Sequence, residues 1–204
     1  MPDGRHAYLY SRQICSVYYI DLETGAPIAN VTVVPGCVGA IGLNPGGSRL
    51  FLPGGSGTGS PFSVSVIDTS TNTLIQTTTL TGTDNPVFDN YQFGFSADGS
   101  LAYFPSPSFA STTSSLPMYM LDGKTGLLVG SKNLPMAANA FAVAASANEF
   151  AISGLAGTAQ TPAVMILDSN LHVVKQFALA SDTWNYGQIA IGSARFTFPD
   201  CGSI

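Results

Sequence analysis

Charge is scarce in this chain. Of 204 residues only seven are Lys or Arg and twelve Asp or Glu, 9% in all, against about 25% in an ordinary soluble domain. The basic residues stand singly, the net charge is −5 and the isoelectric point is near 4.6. No basic stripe exists to neutralise phosphates, so a nucleic-acid partner is not expected. Long apolar runs are missing as well. Gly, Pro, Ser, Thr or Asn interrupts each hydrophobic segment well before the ~18 residues that a spanning helix needs, so no transmembrane helix is expected. The three cysteines, Cys15, Cys37 and Cys201, show no Cys-x-x-Cys spacing, which argues against a zinc knuckle or a redox pair. Three small reduced thiols are the first expectation for them; one disulfide with a leftover thiol is the second. The start, Met1-Pro2-Asp3-Gly4-Arg5, lacks the charged-then-apolar pattern of a signal peptide, so no export address is expected within the chain.

Catalytic equipment is thin too. There are two His, His6 and His172, and two Glu, Glu23 and Glu149. No His-x-x-x-His pair and no Ser-His-Asp set follows from their spacing. Two segments look superficially like phosphate cradles, the Gly-rich 53–61 and Gly123-Lys124-Thr125. Neither has P-loop spacing, and both join strand to strand rather than opening a helix.

What the sequence does have is a core and a repeat. Hydrophobic residues make up 45%, ample for burial and far from the composition of a disordered chain. Four segments end alike: Val17-Tyr18-Tyr19-Ile20-Asp21, Val64-Ser65-Val66-Ile67-Asp68, Met118-Tyr119-Met120-Leu121-Asp122 and Val164-Met165-Ile166-Leu167-Asp168. The closing aspartates lie 47, 54 and 46 residues apart. A polar turn follows each, then a second apolar run: Ile28 to Val34, Leu74 to Leu80, Leu127 to Leu134 and Val173 to Leu179. A carboxylate at a strand end accepts N–H bonds from the turn ahead of it, so Asp21, Asp68, Asp122 and Asp168 are assigned to hairpin turns. The other half of the unit repeats as a short apolar strand, a turn of Asp, Gly or Asn, and an aromatic strand. Examples are Ala40–Asn44 into Arg49–Leu52, Tyr91–Ser96 into Leu101–Phe104, and Phe141–Ser146 into Phe150–Ile152.

The unit is thus four up-and-down strands in about 46 to 54 residues with no helical periodicity, which predicts an all-β protein built of four-stranded antiparallel blades, a β-propeller. The units run approximately 1–39, 40–90, 91–140, 141–187 and an incomplete 188–204, forming one domain over 1–204. The order of elements also resembles the YVTN-type β-propeller repeat, found in surface-layer-like and lactonase-like propellers. Pro2-Asp3-Gly4 with Ala7-Tyr8-Leu9-Tyr10, and Ile67-Asp68-Thr69, carry the resemblance, although the name-giving tetrapeptide itself reads Tyr8-Leu9-Tyr10-Ser11 here. The resemblance implies a ring of about seven blades, of which this chain would be a piece, with the remainder of the propeller as its partner. The competing expectation is a closed four-bladed ring in which Ile189 to Gly192 supplies the inner strand of the first unit. Arg195 to Phe198 would be superfluous in such a ring.

In this connectivity, loops after second and fourth strands emerge together, at the end where ligands gather. The connections 35–39, 83–90, 135–140 and 180–187 place Asp84, Asp89, Asn90, Asn139, Asp182, Trp184, Asn185 and Tyr186 there as candidate ligand-binding residues. Trp184 and Tyr186 offer apolar stacking area with amides beside them, and wedging of Trp184 between blades as core is the alternative. Asp84 and Asp89 with their Asn neighbours offer oxygens for Ca²⁺, but without an EF-hand pattern, so no cofactor is expected beyond that single option. The leading functional expectation is a non-catalytic binding or scaffold module that displays loops to a partner protein or a surface glycan. Its Ser- and Thr-rich, Lys-poor composition suggests an extracellular or cell-envelope setting for the full-length protein. The alternatives are a metal-assisted hydrolase of lactonase-like type and a structural repeat with no ligand.

Overall fold

A computed structural model describes residues 1, 3–11, 13–32, 41–54, 62–80, 93–105, 116–144, 149–157, 159, 161–179, 190–191 and 196–197, with backbone alone at 32, 116, 137–144, 190–191 and 196–197. Every regular element among them is a β-strand. The first sheet holds β1 (His6–Ser11), β2 (Ser16–Asp21) and β3 (Pro27–Thr32). The second holds β4 (Gly42–Leu43), β5 (Arg49–Gly54), β6 (Phe62–Asp68) and β7 (Thr73–Leu80). The third holds β8 (Gly94–Phe95), β9 (Leu101–Pro105), β10 (Leu116–Asp122) and β11 (Leu128–Leu134). The fourth holds β12 (Met136–Ala144), β13 (Glu149–Ala156), β14 (Thr161–Leu167) and β15 (Val173–Ala178), and a last hairpin joins β16 (Ala190–Ile191) to β17 (Phe196–Thr197). All pairings are antiparallel between strands consecutive in the chain.

Successive side chains of a strand point to opposite faces, and in the middle sheets both faces are apolar. Along β5, Leu50 and Leu52 pack with Val17 and Val31 of the first sheet, while Phe51 packs with Phe104 and Tyr119 of the third. Along β9 the alternation continues: Ala102 and Phe104 face the second sheet and Tyr103 faces Phe150 and Met165 of the fourth. The second and third sheets are therefore each the filling between their two chain neighbours. Aromatic contacts tie the layers, with Phe62 stacked on Phe104 at 5.2 Å between ring centroids and Tyr103 on Phe150 at 4.1 Å. The innermost strand β12 lies beside both β8 and β16, so the inner strands of successive sheets are neighbours.

The outermost strands β3, β7, β11 and β15 share a device that sequence reading missed. Each carries a bulge at the same place, where two of its residues oppose one of the preceding strand. The extra residue is Ile28, Ile75, Val129 or Val174, exposed by 52, 43, 58 and 56% respectively. A bulge twists an edge strand away from flatness and spoils it as a template for another edge. The repeat thus protects each rim strand by backbone shape, and a branched aliphatic side chain marks the spot.

The Asp turns are built from the carboxylate outward. Asp21 Oδ1 accepts the N–H groups of Glu23 and Thr24 at 2.8 and 2.9 Å, and Asp122 Oδ1 those of Lys124 and Thr125 at 3.0 and 2.7 Å. Asp68 accepts from Ser70, and Asp168 from Asn170 and His172. Gly123-Lys124-Thr125 is therefore a hairpin turn, as its failed P-loop spacing implied. Gly126 closes that turn at φ +75°, and a Cβ there would run into Val66 of the second sheet, so both backbone and packing require glycine.

These bonds favour the ionised carboxylate. The His6 ring, then the Arg5 N–H, draws Asp3 down to about 2; the Ser96 hydroxyl, then the Ser100 N–H, does the same to Asp98. Asp21, Asp68, Asp122 and Asp168 are also lowered, chiefly by Thr24 N–H, Ser70 Oγ, Thr125 N–H and His172 N–H. A folded-state value below the unfolded one stabilises the fold above about pH 4 to 5 and is lost as pH falls through the folded value. The urea midpoint is therefore expected to hold steady down to about pH 5 and then to decline progressively toward pH 2. A midpoint independent of pH over that window would show the carboxylates to be unengaged.

The turns at Asp68, Asp122 and Asp168 are also gripped by the preceding sheet. The Tyr8 hydroxyl donates to Asn72 Oδ1 at 2.5 Å, and the Tyr103 hydroxyl donates to Ser169 O at 2.9 Å. Between them, where β5 has Phe51 and no hydroxyl, Arg49 Nε reaches Lys124 O at 2.8 Å and Thr78 Oγ1 reaches Gly126 O at 2.8 Å. Arg49 is held for this by Asp68, at 2.9 Å. Burial is the main cause that pushes the Tyr8 and Tyr103 hydroxyls up to about 12. Tyr103→Phe is expected to lower stability by about 1 kcal/mol, the net worth of one such bond, measured as the shift in urea midpoint; no shift would mean the bond is absent in solution.

Three expectations are corrected. The connection placed at 135–140 is Pro135 alone, because β12 begins at Met136 and the fourth sheet starts there rather than at 141. Asn139 is the extra residue of a bulge between Ala138 and Ala140, and this insertion, in an alanine-rich run, erases the alternation by which a strand is read. The second correction concerns closure: β16 pairs with β17, so it does not serve as an inner strand for β1. The third concerns Cys15, which is disulfide-bonded rather than a reduced thiol. Cys37 and Cys201, the remaining cysteines, lie outside the described residues.

Candidate functional site

The antiparallel connectivity sorts the chain into two ends. At one end lie the turns that join first to second strands and third to fourth strands. All six described Asp residues, 3, 21, 68, 98, 122 and 168, accept backbone N–H bonds there. Both His are there too, His6 Nδ1 lying 2.7 Å from Asp3 Oδ2 and His172 Nδ1 lying 3.1 Å from Asp168 Oδ2. The carboxylates and imidazoles of this end are engaged in holding turns.

The opposite end receives the loops after second strands and the connections between sheets. Asp84, Asp89 and Asn90 fall in the segment joining β7 to β8, and Asp182, Trp184, Asn185 and Tyr186 in the segment joining β15 to β16; all lie outside the described residues. Asn139 is described in its backbone only, at the bulge of β12. Among the candidates, the structure therefore locates one, on the innermost strand of the fourth sheet.

A feature of this end that sequence reading missed is an open cavity of about 370 Å³ beside Pro135. Ala156, Gly157, Thr161, Ala163, Gln176 and Ala178 complete its wall. The cavity exists because small residues meet across the sheet: Ala156 pairs with Thr161, and Ala163 with Ala178. Gly157, at φ +67°, turns the chain out of β13 at the rim, and its N–H donates to Pro135 O at 3.4 Å. The signal for it was present, three alanines at facing positions of strands whose neighbours carry Met, Ile and Leu. No lining group titrates. Such a wall suits contact with an apolar or amide-bearing group and supplies neither acid nor base. Among the described residues no group of three or more His, Cys, Asp or Glu is placed to hold a metal ion.

Face-to-face packing of twisted four-stranded sheets in chain order, inner strands adjacent, defines the blades of a β-propeller, here a partial one. Solved structures agree on the fold. Over 88% of its length the chain matches 52% of the Kuenenia stuttgartiensis hydrazine synthase chain, with a TM-score of 0.66 and 17% identity. It matches 37% of the dihydro-heme d1 dehydrogenase NirN, solved in complex with DHE, over 89% of its own length, with a TM-score of 0.58 and 18% identity. The chain thus spans about half of the first of these and little more than a third of the second. No protein-family profile and no curated protein sequence matches it.

Proposed function

We propose that this chain is a section of a larger, exported β-propeller of the YVTN type, and that its loop end binds a partner protein or a surface glycan without chemical turnover. The observation that carries the reading is the division of labour between the two ends. Every described Asp and His is spent on the turn end, while the described part of the loop end offers a neutral wall of Ala, Gly, Thr and Gln. Asp84, Asp89, Asn90, Asn139, Asp182 and Asn185 would add hydrogen-bonding groups to that end, and Trp184 and Tyr186 stacking surface. Blades locked by aromatic layers lose little conformational entropy when a ligand docks on the loops they carry. The disulfide at Cys15 supports an oxidising compartment, since such bonds persist outside the cytosol, and the greater length of the structural neighbours supports further blades.

The test is binding of the purified chain to an array of surface glycans and to envelope proteins, with and without Ca²⁺, beside the double variant Trp184→Ala, Tyr186→Ala. The reading expects a bound class whose affinity falls at least about tenfold in the double variant, the scale of losing a central aromatic contact. Ca²⁺-dependent hydrolysis of an ester or lactone that is abolished by Asp84→Asn and Asp89→Asn would overturn it.

A further inference from the structure

The cavity beside Pro135 is not a product of the repeat. Its floor, Ala156 and Ala163, is buried and belongs to the core between the third and fourth sheets. Pro135 is fixed over it by Leu134 and Met136, its two chain neighbours, both buried in that core. Counted back from the closing Asp, Ala163 corresponds to Ser16, Ser63 and Pro117 of the other sheets, and its partner Ala178 to Thr32, Thr79 and Asn133. Ser63 turns its hydroxyl onto Gly54 O of its own sheet at 3.4 Å. The fourth sheet alone has alanine at both places, and the blade architecture does not require it.

Two polar side chains flank this apolar floor. Thr161 opens β14, Gln176 lies on β15 opposite Met165, and the Ala163–Ala178 pair falls between them in register. Both are exposed, and neither side chain is committed to a hydrogen bond with another described residue. A hydroxyl and a carboxamide can each donate and accept. No charged group lines the wall. Lys175, adjacent to Gln176 in the strand, projects from the opposite face, where its Nζ lies 5.7 Å from the centre of the Phe177 ring. The segment that carries Trp184 and Tyr186 leaves β15 at Ala178, on the cavity's own rim.

We propose that the cavity is a subsite for the acetamido group of an N-acetylhexosamine in a surface glycan. Its volume of about 370 Å³ sits near the small end of ligand sites, roughly 300–1,000 Å³, which suits one substituted sugar. The N–H and C=O of a trans amide point to opposite sides, so an acetamido group needs two polar partners set apart, as Thr161 and Gln176 are. Its methyl needs an apolar floor, which Ala156 and Ala163 provide. A free ammonium or carboxylate substituent would be buried here without a counter-charge, at a large cost. A main-chain peptide bond continues on both sides and needs an open-ended groove. Pro135 and Gly157 close this one, joined by a backbone bond of 3.4 Å, and a terminal methyl fits a closed end. This inference rests on the reading of the loop end as a glycan-binding surface and names the sugar.

The test is saturation-transfer NMR and calorimetric titration of the 204-residue chain with the methyl glycosides of N-acetylglucosamine and N-acetylgalactosamine, of the two free amines, and of glucose and galactose, beside an N-acetylated tripeptide. Expected is binding of at least one N-acetylated sugar and of none of its unacetylated relatives, with saturation transferred to the acetyl methyl. Affinity falls at least about tenfold in Ala178→Leu, which fills the mouth from an exposed position, and about threefold to tenfold in Gln176→Ala, the scale of one hydrogen bond. Equal binding of glucose or galactose, or acetyl-dependent binding that Ala178→Leu leaves intact, would overturn the subsite while leaving glycan recognition standing. Recognition of other glycans without either N-acetylated sugar would do the same. Tighter binding of the tripeptide would make a peptide terminus the occupant and overturn the sugar. Failure of every probe together with every glycan of the array would overturn both the subsite and the glycan reading.

Discussion

Phe104→Ala is expected to cost about 3–5 kcal/mol, the range for deleting a fully buried aromatic ring, and to shift the urea midpoint more than any single change at the rim. Phe104 is wholly buried between the second and third sheets, with Phe62 stacked at 5.2 Å and Phe93 at 4.7 Å between ring centroids. Truncation removes the ring from both contacts and leaves a cavity that neither rigid sheet can collapse to fill. The contrast is Val129→Ala, at an exposed bulge on β11, where a change within about 0.5 kcal/mol is expected, as for ordinary surface positions. Equal effects at the two sites would show that the sheets do not pack face to face.

Cys15 gives the second large expectation. Peptide mapping without reductant is expected to find one disulfide at Cys15 and one remaining thiol. The partner then sets the size of the effect of Cys15→Ser. A bond to Cys37 closes a loop of about 20 residues and constrains the unfolded chain by about 3 kcal/mol, whereas a bond to Cys201 closes nearly the whole chain and is worth about 5 kcal/mol in the same chain-entropy account. Three freely alkylated thiols in the folded, air-exposed protein would contradict the bond.

The repeat explains what was legible. Strands from Leu74, Val173 and the runs closing in Asp68 and Asp168 were readable because alternation and turn chemistry agree there, the carboxylate, the polar turn and the positive-φ residue all falling in register. Gly25 and Gly126 occupy that positive-φ place as glycines always could, but Leu171 does so at φ +61°. Its side chain is fully buried in the core between the third and fourth sheets, so packing holds a backbone that local preference opposes. The four rim bulges were hidden because a single inserted residue leaves hydrophobic composition unchanged while shifting the pairing. Asn139 shows the same effect more severely, since it turned the first half of β12 into an apparent loop.

The candidate site was legible only as a place. Connectivity alone assigned Asp84, Asp89, Asn90, Asn139, Asp182, Trp184, Asn185 and Tyr186 to one end of the sheets. Side-chain geometry depends on how connections fold across neighbouring blades, and no local pattern encodes that. The cavity beside Pro135 was missed for a related reason: Ala156, Ala163 and Ala178 lie on three different strands, and only the register of pairing brings them to one wall.

The central proposal is that the blades, stacked in chain order, form a section of a larger propeller. Small-angle scattering from the size-exclusion peak of the 204-residue chain tests it most directly. The account predicts an open arc, with maximum dimension exceeding that of a ring of the same mass, or self-association through the uncovered end sheets. A compact, ring-shaped monomer would contradict it.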